Sequence, residues 1–340
     1  MIGVGLVGLG FMGRIHFLAY RGVAGAHVAA VCSRDPRKLT GDWTNSRGNF
    51  GPEPGMVDLA GIAPYDDYTA MLKDPAIQLV DLCTPNHLHA DAAIQALEAG
   101  KHVLVEKAIA LTIADADRML AAAVKSGRML MVAHVLPFFP EFAYALDAVK
   151  SNRYGTLLAA HLKRIIAMPT WSVDFADAEK SGGPAVDLHI HDTHFLGLLA
   201  GIPKRVESFG RMVGNSVNYL TTNYDYGPGG PVVTCSAGAI AASGRPFAHG
   251  FEIYLERATL SFDSGGVPLT LFTNDGQATQ PKLGDGDAVV AFTSELQAAV
   301  HAVDTGIEEP LLSGRLARNA LAMCLTECES VKLGKPVELG

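Results

Sequence analysis

The 340-residue chain has no run of 18 apolar residues, no C-x-x-C pair and no surplus of basic charge. The first absence leaves no membrane span to expect. The second bears on the five cysteines, Cys32, Cys83, Cys235, Cys324 and Cys328. They are scattered and odd in number, so neither a disulfide framework nor a zinc ribbon is indicated. Cys324 and Cys328, four apart, read as buried thiols on a helix. The third, a net charge of −8, argues against a nucleic-acid partner and suits a soluble cytoplasmic protein. Residues 1–13 are apolar but have no basic stretch before them, so a signal peptide is not expected. No internal repeat is visible. The 49% hydrophobic and 18% charged content is that of a globular chain, long enough for two cores.

What is present begins at the N-terminus. An apolar, β-favouring run, Ile2 to Val7, is followed by Gly8-Leu-Gly10-Phe11-Met12-Gly13 and then by a segment with helical spacing. This is the dinucleotide fingerprint G-x-G-x-x-G between a strand and a helix. Gly8 allows a tight turn, Gly10 lets the backbone approach a pyrophosphate, and Gly13 allows close helix–strand packing. The helix start, with Phe11 and Met12, offers free N–H groups and a positive dipole end to phosphates.

Strands and helices then alternate. His27–Cys32 reads as a strand ending at Ser33-Arg34. Thr40 to Pro64, rich in Gly, Pro and Asn, reads as a long surface excursion. Leu79–Cys83 is a buried strand that stops at Thr84-Pro85-Asn86, and His89–Ala99 is a helix closed by Gly100. Val103–Val105 leads into Glu106-Lys107. Ile113–Lys125 is helical, Gly127 stops it, and Met129–Ala133 is a strand. Such alternation predicts a doubly wound α/β domain with a parallel sheet over residues 1–133. Beyond it, 134–340 reads as a second domain. It has helices at Glu141–Lys150 and about Ala185–Leu199, a strand at Leu157–Ile166, β-rich runs from Arg205 to Phe272 that predict an antiparallel sheet, and closing helices at Ser294–Val303 and Ala317–Val331. If both faces of that sheet are apolar, the helices cover only one, and the other is an association surface.

In an open α/β sheet, ligands bind beyond the carboxyl ends of the strands. The glycine turn, Ser33-Arg34, Thr84-Pro85-Asn86 with His89, and Glu106-Lys107 all stand there, and all are cofactor-binding candidates. An acidic residue about 20 positions past the glycines would hold the ribose 2′-OH of NAD. Ser33 and Arg34 occupy that place, with Arg37 and Lys38 close behind, so the reading leans from NAD towards NADP. A second constellation runs from Ser181 to His194. Asp187 and His191 are four apart and His194 three further on, which on a helix puts all three on one face. A carboxylate beside an imidazole suits acid–base work. The pattern His189-x-His191-Asp192-x-His194 also nearly matches a hydrolase zinc cluster, with the aspartate one position out; no metal is expected.

GLGFMG at 8–13, CTPNHLHA at 83–90, EK at 106–107 and the Gly-Gly-x-x-x-Asp-x-x-x-His block at 182–191 together resemble the Gfo/Idh/MocA family, the glucose–fructose oxidoreductase and inositol dehydrogenase group. The resemblance runs over essentially the whole chain. It implies an N-terminal Rossmann domain and a C-terminal α/β domain with a large, mainly antiparallel sheet. It also implies NAD(P)-dependent oxidation or reduction of a sugar, inositol or related polyol, a catalytic group at Lys107, Asp187 and His191, and a homodimer or homotetramer. The chain departs from the family where Ala108 stands for the proline after Glu-Lys, where His194 stands for an Asp, and in the length of the excursion. A non-catalytic, cofactor-binding sugar sensor on the same fold is the alternative.

Overall fold

The computed structural model describes residues 1–169, 175, 177–284 and 287–339. The chain runs through β1 (Ile2–Val7), α1 (Phe11–Tyr20), β2 (Ala26–Cys32), α2 (Pro36–Leu39), β3 (Ala63–Tyr65), α3 (Tyr68–Leu72), β4 (Leu79–Leu82), α4 (His89–Glu98), β5 (His102–Glu106), α5 (Ile113–Ser126) and β6 (Leu130–Ala133). There follow α6 (Pro140–Lys150), β7 (Leu157–Ala167), α7 (Ala178–Ser181), α8 (Pro184–Asp187) and α9 (Ile190–Ala200). The remaining strands are β8 (Arg205–Val213), β9 (Ser216–Asp225), β10 (Val232–Ala241), β11 (Ala248–Leu255), β12 (Ala258–Asp263), β13 (Val267–Thr273) and β14 (Ala278–Thr279). The chain closes with α10 (Ala288–Thr305), α11 (Gly314–Leu333) and β15 (Val337–Glu338).

The first sheet has the order β3-β2-β1-β4-β5-β6, with every pair parallel. That is the Rossmann order, with its switch point between β1 and β4. β1 and β4, at the centre of the sheet, are buried at every position because helices cover both faces. Local signals set the helix ends. The Thr112 side chain accepts from the Asp115 N–H to open α5, and Gly127, at φ +64°, closes it.

The excursion is not a plain surface loop. Trp43 is fully buried and packs with Leu6, Leu9, Phe17 and Val31, and Val57, Leu59 and Ile62 lie against the same cluster. A bridge joins Asp42 to Met56. Its apolar residues follow no regular period, so periodicity gave no sign of them, yet they close a satellite core beside β1 and β2.

Contacts group the chain into two units: Met1–Phe138 with Gly286–Arg318, and Phe139–Asp285 with Asn319–Gly340. Thus α10, read from sequence as part of the second domain, packs in the first unit. Gln297 is bonded to both the N–H and the carbonyl of Ala24, at 2.7 and 3.2 Å, and the Phe292 ring lies 5.9 Å from that of His16. The helix also starts earlier than its apolar spacing suggested, because Asp287 caps it through the Val289 N–H.

The second sheet has nine strands in the order β14-β13-β12-β11-β7-β10-β9-β8-β15. The pairs are antiparallel except β7 with β10, so the sheet is mixed and mainly antiparallel. One face is buried and carries Leu162, Val233, Leu220, Ile253 and Leu260. The other carries exposed apolar side chains, among them Phe209, Val232 and Phe272, interleaved with polar ones. It carries hydroxyls in register: Tyr219 on Thr221, Thr221 on Ser236 at 2.9 Å, and His161 on Thr234 at 2.6 Å. A solvated second face is a normal state for antiparallel strands.

His249 on β11 is enclosed by the rings of Phe142, Phe247 and Phe262. Burial and the nearby Arg164 push its imidazole down to about 3. The unfolded chain takes up this proton near pH ~6.5, so the stability it contributes is complete above that pH and is lost as pH falls towards about 3. We expect the urea midpoint to fall between neutral pH and pH ~4 and His249→Phe to flatten part of that slope. An unchanged slope in the variant would refute the assignment.

Candidate active site

The glycine turn is built by close approach. Gly8 has φ +87°, and a Cβ there would sit 2.5 Å from the Cys83 carbonyl oxygen. A Cβ on Gly13 would sit 1.9 Å from the Gly8 oxygen. Both positions demand glycine for the fold itself. Gly10 differs: its backbone is extended, at φ −78° and ψ −154°, and an added Cβ would meet no atom within 4 Å. Fold alone does not require glycine there, whereas a ligand backed onto the turn would. No side chain caps α1, and its first turn holds no acidic residue, so Phe11, Met12 and Gly13 present N–H groups at the positive end of the helix. These features fit a dinucleotide pyrophosphate.

The excursion is tied to this turn. The Ser46 hydroxyl donates to the Leu9 carbonyl at 2.9 Å, and the Lys38 ammonium lies against the same hydroxyl. Arg14 donates to the carbonyls of Ser46 and Pro52, at 3.2 and 2.6 Å. The Phe50 ring lies edge-on to Phe11 at 4.8 Å.

At the end of β2, the Ser33 hydroxyl accepts from the Asp35 N–H, and Arg34 is exposed. Two of the cations that sequence placed near a 2′-phosphate are engaged. Arg37 pairs with Asp35 at 2.9 Å, and Lys38 is buried against Ser46.

Past β4, Thr84 and Asn86 are half-buried and Pro85 is exposed. His89 is fully buried, with Nδ1 2.8 Å from the Ala108 carbonyl and Nε2 2.8 Å from that of Thr84. It therefore ties the loops after β4 and β5 together, rather than turning a nitrogen outward as a cofactor contact would. Burial lowers its pKa. Glu106 is also turned inward: one carboxylate oxygen accepts the Lys107 N–H at 3.0 Å, and the other lies 3.0 Å from His16 Nε2. Lys107 itself is half-buried, and its peptide bond to Ala108 is cis.

His16 and Asp81 escaped the sequence reading, and Glu106 was read only as a cofactor contact. His16 Nδ1 is 2.9 Å from Asp81, and the Cys83 sulfur is 3.4 Å from the same nitrogen. Burial alone would push the imidazole down; Asp81 and Cys83 outweigh it and hold it well above its ordinary value. The available signal was Asp81 itself, a carboxylate inside an otherwise apolar strand.

In the second unit the expected single helix is two. A turn at Leu188–His189 separates α8 from α9, so Asp187 ends one helix and His191 lies at the start of the next. Both are half-buried, whereas His194 is fully buried and its pKa is pushed down to about 3 by desolvation. The turn forms where the His189 side chain is drawn inward, 2.6 Å from Glu327 and 3.3 Å from the Tyr224 hydroxyl. Burial lowers the His189 pKa, but Glu327 and Cys235 outweigh it, and the net shift is well upward. Beside it, Arg164 Nε donates to both oxygens of Asp192 at 3.0 Å. His189, Asp192 and Cys235 have ligand-type atoms within 4.8 Å of one another, as do His16, Asp81 and Cys83. In the former group Asp192 already faces Arg164 and His189 already faces Glu327. Ser181 ends α7, and its hydroxyl accepts the Gly183 N–H at 3.0 Å.

Residues 2–134 match a family described as an oxidoreductase family with an NAD-binding Rossmann fold. The chain is 32% identical to the levoglucosan dehydrogenase of Pseudarthrobacter phenanthrenivorans over 180 residues, 51% of this chain and 42% of that protein. It is 28% identical to the inositol 2-dehydrogenase of Salmonella agona over 159 residues, 46% of this chain and 44% of the relative. The chain thus spans less than two thirds of the curated relatives it matches. Among solved structures, a levoglucosan dehydrogenase in complex with NADH and levoglucosan aligns at TM-score 0.83 and 21% identity, over 99% of each chain. An oxidoreductase from Agrobacterium radiobacter in complex with NAD+, L-tartaric acid and magnesium aligns at TM-score 0.84 and 20% identity, over 100% of this chain and 98% of that one.

We expect Gly10→Ala to fold with an unchanged melting temperature and to weaken NAD(H) binding at least tenfold, read by calorimetric titration. Gly13→Ala should lose stability as well. A Gly10→Ala protein with full cofactor affinity would show that the turn does not receive the pyrophosphate.

Proposed function

We propose, for a chain whose residues 2–134 belong to the Gfo/Idh/MocA oxidoreductase family, hydride transfer between a nicotinamide cofactor and a hydroxyl-bearing or carbonyl carbon of a sugar, inositol or related polyol. The observation that carries the reading is the position of Lys107. It stands at the carboxyl end of β5, two strands from the glycine turn in the order β1-β4-β5, on the sheet edge where such folds bind ligands.

When bound, the nicotinamide supplies the hydride acceptor or donor at its C4. His191 serves as general acid–base and takes the hydroxyl proton as the hydride leaves. An imidazole, whose ordinary pKa is near ~6.5, exchanges protons readily at neutral pH. Asp187, a few residues earlier in the chain, orients the ring or holds a second substrate hydroxyl. Lys107 donates to the substrate oxygen and stabilises developing alkoxide charge.

The cofactor leans to NADP(H), with NAD as the second choice. Ser33 does not repel a 2′-phosphate, and Arg34 can bind one with paired hydrogen bonds. With Arg37 and Lys38 engaged elsewhere, that preference rests on these two residues. We place the protein in the cytoplasm as a homodimer or homotetramer. The outer sheet face, where exposed Phe209, Val232 and Phe272 stand beside hydroxyls, supports self-association there, and a monomer mass by light scattering at micromolar concentration would refute it.

Lys107→Ala and His191→Ala should each lower turnover on the sugar or polyol found by screening by about 10²–10⁴-fold, with cofactor binding retained. Near-normal turnover in both would overturn the assignment. A sugar that binds without turnover and only alters self-association would favour a sensor instead. Ser33→Asp should shift the ratio of cofactor affinities towards NAD, and tighter NAD binding by the unaltered protein would refute the NADP preference.

A further inference from the structure

Beneath the carboxyl ends of β4 and β5 lies a buried polar cluster. It contains His16 from α1, Asp81 and Cys83 from β4 and its end, Glu106 from β5, and Glu295 from α10. His16, Asp81 and Glu295 are fully buried, and Glu106 is 6% exposed. Isolated charges at such depth would be costly, so they persist only as partners. His16 Nδ1 hydrogen-bonds Asp81, whereas Nε2 and Glu106 meet as an ion pair without a hydrogen bond. One imidazole nitrogen of His16 faces Asp81 at 2.9 Å and the other faces Glu106 at 3.0 Å. The second oxygen of Glu106 accepts the backbone N–H of Lys107, also at 3.0 Å. Burial, reinforced by Glu106 and Asp81 against the opposing pull of His16, raises the Glu295 carboxyl well above the ordinary carboxylate range.

We propose that His16 is a positioning residue for Lys107, acting through Glu106. This rests on the reading that Lys107 faces the substrate. The N–H that Glu106 holds is attached to the same Cα that carries the Lys107 side chain, so its position fixes the direction in which that side chain leaves the backbone. A purely structural histidine would need to satisfy only its own two nitrogens. Here one of those nitrogens pairs by charge, at 3.0 Å, with the carboxylate that in turn accepts the lysine N–H. His16 also lies three residues past Gly13 on α1. The helix whose first turn faces the pyrophosphate is therefore linked, by two polar contacts, to the lysine at the end of β5.

The test follows Lys107 directly. Reductive ¹³C-methylation of the lysines gives each amine an NMR signal, and loss of one signal in Lys107→Arg assigns it, with no substrate required. In His16→Leu the Lys107 signal should move or broaden. On a turned-over substrate, kcat should fall on the order of 10–100-fold with cofactor KM nearly unchanged, the loss expected from misplacing a reacting group by about 1 Å. His16→Gln keeps a donor towards Glu106 and should restore both readouts most of the way. If His16→Leu does not fold, Glu106→Gln should move the same signal. An unmoved Lys107 signal in the folded variants, or equal loss in His16→Leu and His16→Gln, overturns the proposal. If the signal moves as expected while Lys107→Ala turns over normally, the positioning stands and the catalytic reading of Lys107 fails.

Discussion

The contact between Gly13 and the Gly8 carbonyl is the constraint on which the first unit depends. With a Cβ 1.9 Å from that oxygen, α1 would have to lift from the sheet. Its start would then no longer lie at the mouth of β1, and its uncapped N–H groups would aim elsewhere. His16, one turn further on, could not reach Asp81 and Glu106, and the face that α10 covers would be displaced. A single missing methyl thus sets the phosphate-facing helix end, the buried charge cluster beneath it and the seat of a helix nearly 300 residues later in the chain.

How much of this was legible in the sequence differs by element. Five of the six parallel strands showed through because their apolar spacing is regular and Gly127 and Gly100 mark helix ends, whereas β3, at the end of the excursion, did not. The fold class of the second sheet followed from short β-rich runs between turns. The excursion failed for the opposite reason: Trp43, Val57, Leu59 and Ile62 are spaced irregularly, and only the folded chain shows that they meet. The break between α8 and α9 was hidden too. Right-handed helical spacing continues through Leu188 and His189, and what interrupts it is Glu327, far off in the sequence, drawing the His189 side chain inward.

The candidate site was legible as residues but not as geometry. Motif spacing picked out Lys107, Asp187 and His191, while the residues that hold their surroundings were missed. His16 and Asp81 meet through a distance that sequence does not record; Glu106, read as a cofactor contact, turns inward towards His16, and His89, read likewise, has both nitrogens against backbone carbonyls. In the second unit, Asp192 and Arg164 likewise form a buried pair whose attraction offsets the desolvation of both. Burial lowers the pKa of His194 and would lower that of His189, but partners reverse the outcome for His189 alone. Neighbouring histidines in one motif therefore have pKa values shifted in opposite directions, for reasons that no spacing rule contains.

The placement of α10 has a consequence for how the chain is made. A ribosome releases Met1–Phe138 first, but the helix that covers α1 and contributes Glu295 beneath Glu106 emerges roughly 150 residues later. At ~5–20 residues per second, the first unit waits about 10–30 s with one flank open. During that interval His16 and Phe292 are not yet neighbours. The Rossmann sheet is thus synthesised well before the helix that completes its unit, and nascent chains stalled before residue 288 would carry a sheet whose polar cluster lacks its cover.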